Sequence, residues 1–74
     1  MSEQIANELQ KLHNIAIDMD LSSNIRGNAI KSIGSIGTHD ALLFLLELVA
    51  NENLPTDERE LSLKQAKNII KASR

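Results

Sequence analysis

Ile25-Arg26-Gly27-Asn28-Ala29-Ile30-Lys31-Ser32-Ile33-Gly34-Ser35-Ile36-Gly37, followed at once by Thr38-His39-Asp40-Ala41-Leu42-Leu43-Phe44-Leu45-Leu46-Glu47-Leu48, decides how this chain folds. Ile25, Ala29, Ile33 and Ile36 recur at four, four and three residues, the spacing of one helical stripe. Gly37 suits the end of that helix because glycine reaches left-handed φ without strain. Thr38 is a good cap for the next helix, which is more apolar. Two helices with almost nothing between them fold back on one another.

Outward from this hairpin, the same signals recur. Ile5, Leu9, Leu12 and Ala16 make a helical stripe before it, with Glu8, Lys11 and Asn14 on the watered side. Ser23 and Asn24 carry short polar side chains that accept the free N–H groups of a first turn. After the hairpin, Leu54-Pro55-Thr56 breaks the chain, since Pro55 disfavours helix at Leu54 and Thr56 is a good cap. In the last segment Asp57, Glu58 and Glu60 sit at the positive end of a helix dipole, and Lys64, Lys67, Lys71 and Arg74 toward the negative end. The expectation is one all-α domain over 1–74, with helices at about 2–17, 23–36, 38–51 and 56–73 in antiparallel pairs.

Composition bounds what such a chain does. Its 74 residues hold one small core, and short chains bury a low fraction of their surface. Apolar residues are 42% of the chain, yet Phe44 is the only Phe, Tyr or Trp, so the core is aliphatic. A core of this size rarely supplies more than about 3–5 kcal/mol net. Cysteine is absent, which excludes disulfides and thiolate metal sites. The start, Met1-Ser2-Glu3-Gln4, does not read as a signal peptide, and no apolar run nears the roughly 18 residues that span a bilayer. A cytoplasmic protein with no membrane contact is expected. The formal charge of −2 argues against general nucleic-acid binding, which depends on neutralising phosphates.

A shift of 33 residues superposes Leu12 on Leu45, Leu21 on Leu54, Arg26 on Arg59 and Lys31 on Lys64. It also pairs Asp18 with Asn51 and Asp20 with Asn53, so the connections agree as well as the helices. A period of this length marks stacked helix pairs. On these residues the chain resembles the HEAT-like repeats, including the short type of phycobilisome-lyase-like proteins. Ile25-Arg26, Ala29, Ser32, Ile33-Gly34 and Ile36-Gly37 match the first helix of that pattern, with Ser32 where alanine is usual. Asp40-Ala41-Leu42 and Leu45 match the start of its second helix. The specific match covers 25–48, and the last segment departs from it, with Glu58-Arg59 for aliphatic-Arg and neither glycine. The resemblance implies an α-solenoid fragment of one complete repeat between two halves. It also implies that Arg26 makes a hydrogen bond or ion pair between neighbouring repeats.

Function is expected on the third helix. Its apolar positions run most of the way round, interrupted by Asp40 and Glu47. In the 33-residue register Leu43, Phe44, Leu46 and Glu47 stand where the first helix has Gln10, Lys11, His13 and Asn14. Burial among the other three helices is one explanation. The other is that Leu43, Phe44, Leu46 and Glu47 form a protein interface, with a homodimer the simplest partner for so small a core. A non-catalytic interaction or assembly module is therefore the expected function. Two alternatives stand beside it: polyanion or nucleic-acid contact through Lys64, Lys67, Lys71 and Arg74, and service as an accessory subunit of a larger enzyme. No enzyme activity, cofactor or metal is expected. His13 and His39 sit in polar or capping contexts and read as solvated, and Asp18-x-Asp20 lacks the glycine and distal glutamate of a calcium loop. Gly27, Gly34 and Gly37 lie within or at the end of a helix, where they cannot cradle a phosphate.

Overall fold

In the computed structural model, which describes residues 3–73 (without the side chains of Glu3 and Ile5), four helices follow one another and the described residues contain no strand. They are α1 (Glu3–Ala16), α2 (Ser23–Ile36), α3 (His39–Ala50) and α4 (Thr56–Ala72). Each begins and ends for a local reason. Ser22, extended at φ −68°, accepts the Ile25 N–H on its hydroxyl, so the cap of α2 falls one residue before the Ser23-Asn24 pair expected to supply it. Gly37 closes α2 at φ 69°, the only positive φ among the described residues. Thr38 stands outside α3 and caps it, its hydroxyl accepting from the Ala41 N–H at 3.1 Å. At α4 the cap is Pro55, not Thr56: the Pro55 carbonyl accepts from the N–H groups of Glu58 and Arg59, and Thr56 is the first helical residue. Proline fixes the extended entry that a capping side chain would otherwise hold.

α1 packs on α2, α3 on α4, α2 on both α3 and α4, and α1 on α3; among the described residues α1 and α4 do not meet. The core between them is aliphatic, built from Leu9, Ala16, Ala29, Ile30, Ile33, Ala41, Leu45, Leu48, Leu54, Ala66 and Ile69. Leu12, Ile36, Leu42, Phe44 and Leu61 close its edges.

The buried face of α2 is turned from the expected one. Arg26, Ala29, Ile30 and Ile33 point inward, while Ile25 is exposed and Ile36 lies at the margin. Arg26 is the reason. Its guanidinium reaches across to Glu58 on α4, with Nε donating to Oε1 at 2.5 Å and Nη2 to Oε2 at 3.1 Å. Nη1 donates to the Leu21 carbonyl, and the Ser23 hydroxyl donates to Glu58 Oε2 at 3.1 Å. Glu58, expected only as an acid at the positive end of the α4 dipole, is buried at 4% exposure.

The 33-residue register is visible in the backbone. Asp20 N–H donates to the Asp18 carboxylate at 3.0 Å, and Asn53 N–H to the Asn51 side chain at 2.9 Å. The N–H groups of Asp18 and Leu21 bond to the Ile15 and Asp18 carbonyls; those of Asn51 and Leu54 bond to Leu48 and Asn51. Arg26 N–H to Ser22 O is matched by Arg59 N–H to Pro55 O, both at 3.1 Å. Two connections of different sequence thus fold into the same turn, because aspartate and asparagine both accept the N–H two residues on.

Candidate interaction surface

α3 divides cleanly. Ala41, Leu45 and Leu48 are fully buried on one side, and on the other Leu43 and Leu46 remain 47% and 42% exposed. Successive helical residues differ by about 100°, so these two leucines face away from the core. Asp40, Leu43, Phe44 and Glu47 line one shallow depression.

The four interface residues expected from the sequence have different surroundings. Leu43 and Leu46 are open to solvent, and Glu47 is exposed. Phe44 is half covered at the core margin, where its ring meets that of His13 on α1 at 5.2 Å and 55°. His13 Nε2 lies 3.7 Å from Glu47 Oε2. His13 is therefore not a solvated residue, as its sequence context suggested, but part of the α1–α3 seam. The polar neighbours in its stretch of sequence hid this, since only Phe44 on another helix gives the imidazole a face to pack on.

α4 carries the second surface. Lys64, Lys67 and Lys71 are exposed and line a shallow groove with Glu60, Leu63 and Asn68. Arg74, the fourth basic residue of the sequence reading, lies outside the described residues. Leu63 and Ile70 are exposed among these lysines, a pair of apolar residues that charge patterning alone passed over. Leu63 shares a groove with Val49 at the end of α3, together with Thr56, Arg59 and Glu60. There Arg59 Nε donates to the Val49 carbonyl at 2.8 Å, binding the end of α3 to the start of α4.

Register separates the outer face of α4 from the equivalent face of α2, on which Ile30 is buried and Gly34 meets α4. Gly27, Ile30, Lys31 and Gly34 on α2 correspond to Glu60, Leu63, Lys64 and Lys67 on α4. Gly34 lets α4 come close: a Cβ built on it would stand 3.0 Å from Gln65 Cβ. Where α2 has Gly27 and Gly34, which face the Leu61 and Gln65 side chains, α4 has the charged Glu60 and Lys67.

Among the described residues, no group of three or more His, Asp or Glu is placed to hold a metal ion, and no helix is long and apolar enough to cross a membrane. Two charged groups have shifted titration. The hydrogen bond from Arg26, helped by that from Ser23, holds the Glu58 carboxyl below its usual range despite the opposing effect of burial. The hydrogen bond to Glu58 in turn raises Arg26 above its ordinary value. Both shifts belong to the packing of α2 on α4. No family model matches the chain, and no curated protein or solved structure matches it either.

Proposed function

We propose that this protein is a non-catalytic association module, with antiparallel helix pairs stacked in the manner of HEAT-like repeats, and that it self-associates through α3. The observation that carries this reading is the pair Leu43 and Leu46, both exposed on the side of α3 opposite its buried face. Water contact of two leucines on one helix face is relieved most simply by a second protein surface. The matching turns at 18–21 and 51–54 support the repeat, as does the contact of α2 with α4 and of α1 with α3. A homodimer in the cytoplasm is the partner and setting this reading takes, with the role of accessory subunit as its variant when the covering surface belongs to a larger protein.

Light scattering across a concentration series tests it. The chain is expected to show twice its formula mass, and Leu43→Glu or Leu46→Glu is expected to give a folded monomer. Unfolding of both variants would make these residues core, and an unchanged mass would place the interface elsewhere.

A second reading has its own observation: three lysines on one groove of α4. Contact with a polyanion through Lys64, Lys67 and Lys71 would show as salt-sensitive retention on heparin. Glu60 within the same groove and the net charge of −2 weigh against it.

A further inference from the structure

We propose that α3 and α4 together form one self-complementary face that takes a second copy of this chain, with α3 of each copy lying on α4 of the other. This rests on the reading of α3 as an association helix and names what α3 meets.

Spacing and charge carry it. On α3, Asp40 and Glu47 stand seven residues apart and bracket the exposed Leu43 and Leu46. On α4, Lys64 and Lys71 stand seven apart with Lys67 between them, and the exposed Leu63 and Ile70 are also seven apart. Seven residues make nearly two turns and span about 10.5 Å, so each set shares one helix face and both recur at the same interval. The carboxylates of one helix therefore match the ammonium groups of the other two by two. Laid antiparallel, Asp40 meets Lys71 of the second copy and Glu47 meets its Lys64, while the leucines of α3 meet Leu63 and Ile70.

Charge also selects this arrangement over its rivals. Packing α3 on α3 sets carboxylates against carboxylates, and α4 on α4 sets Lys64, Lys67 and Lys71 of one copy against those of the other with Glu60 alone in the groove to offset them; like charges facing one another across an interface disfavour association. Crossing the helices about a two-fold axis along their seam removes both conflicts and makes every contact twice. The seam is itself partly apolar, since Val49 and Leu63 line the groove between α3 and α4, and Leu46 lies one turn before Val49. A further helix stacking on α4 as α4 stacks on α2 would meet Glu60 and Lys67 in place of Gly27 and Gly34. Long charged side chains there suit ion pairing better than the tight side-chain contact seen at Gly34.

A charge swap on the 74-residue chain tests this by sedimentation or light scattering. Asp40→Lys with Glu47→Lys, and separately Lys64→Glu with Lys71→Glu, are each expected to weaken dimerisation roughly 100-fold. Mixing the two variants makes every contact opposite in charge again and is expected to restore the doubled mass. Circular dichroism checks the fold, and Asp40→Asn with Glu47→Lys replaces the first variant if a lysine at the start of α3 unsettles that helix. Dimers in either variant alone at wild-type strength, or a mixture that stays monomeric, overturn the proposal. A wild-type dimer that is lost with Leu46→Glu but ignores the charge swap keeps the α3 reading and removes this one. A wild-type monomer at all concentrations removes both, and salt-sensitive heparin binding by that monomer would assign the lysines to a polyanion instead.

Discussion

Arg26 and Glu58 are 32 residues apart in the chain and meet through two hydrogen bonds, with only 6% and 4% of their surfaces exposed. A guanidinium fork against a carboxylate is the most directional ion pair available to side chains. This one holds the first turn of α2 against the first turn of α4, and the third bond, to the Leu21 carbonyl, ties in the connection before α2. In an aliphatic core, which tolerates sliding, such a pair specifies which turn of one helix faces which turn of the other.

Acid should loosen that specification. Glu58 titrates below its ordinary value of 4.5 in the folded state, chiefly because Arg26 donates to it. Its contribution is therefore complete above about pH 4.5 and is lost as pH falls through the lower, folded value. Urea midpoints measured from about pH 3 to 7 are expected to drop at the acid end for the wild type. Glu58→Gln should start lower at neutral pH and show a shallower fall. Parallel profiles for the two proteins would separate the acid response from this residue.

Breaking the pair and replacing it should differ in kind. Arg26→Ala leaves a carboxylate buried without its cation and also frees the Leu21 carbonyl, so a large loss of stability is expected. Arg26→Lys should recover little, because an ammonium cannot supply the fork. The double change Arg26→Met with Glu58→Met removes both charges and is expected to be more stable than either single variant. Thermal denaturation of the wild type, Arg26→Met, Glu58→Met and the double variant decides it, and additive losses in the double variant would contradict the coupling.

Helix number, the turn at Gly37 and the cap at Thr38 were legible in the sequence because each rests on contacts within a few residues. Within the α1 stripe, Leu9 and Ala16 were legible for the same reason and are fully buried, Leu12 lies at the core edge, and the Ile5 side chain is outside the described residues. The face of α2 was not. Hydropathy put Ile25 inside and Arg26 at the edge, whereas the position of Arg26 is set by a carboxylate on another helix. A signal did exist: Glu58 stands in the 33-residue register where Ile25 does, a charge at an apolar position that asks for a buried cation. On the candidate surface, Leu43 and Leu46 were legible from the excess of apolar residues on one helix. Leu63 and Ile70 were hidden among lysines, since their exposure depends on how α4 rotates against α3.

The two sides of α3 should respond to truncation very differently. Leu45→Ala opens a cavity in a fully buried site and is expected to cost about 2–5 kcal/mol. Against the net stability of so small a core, that leaves much of the protein unfolded. Leu43→Ala removes an exposed side chain, and in the monomer the change is expected to stay within about 0.5 kcal/mol. Chemical denaturation at low protein concentration measures both. A loss at Leu43 equal to that at Leu45 would mean its side is packed within the chain.

The two glycines that end α2 should fail for different reasons, and only one failure can be repaired. Gly37 sits at φ 69°, so Gly37→Ala strains the backbone whatever surrounds it, and a loss of about 1 kcal/mol is expected. Asparagine tolerates that region and should lose less. Gly34 has ordinary helical backbone, where alanine is by itself the better helix former. Its added Cβ would instead press on the Gln65 side chain, nearest to Oε1, 2.9 Å from Cδ and 3.0 Å from Cβ, in the contact of α2 with α4. Gly34→Ala should therefore destabilise against its propensity, and Gln65→Ala in the same chain should recover part of the loss by removing Oε1 and Cδ while leaving the tight Cβ contact. The same Gln65→Ala change should do nothing for Gly37→Ala, so melting curves of the four variants separate crowding between helices from strain within one.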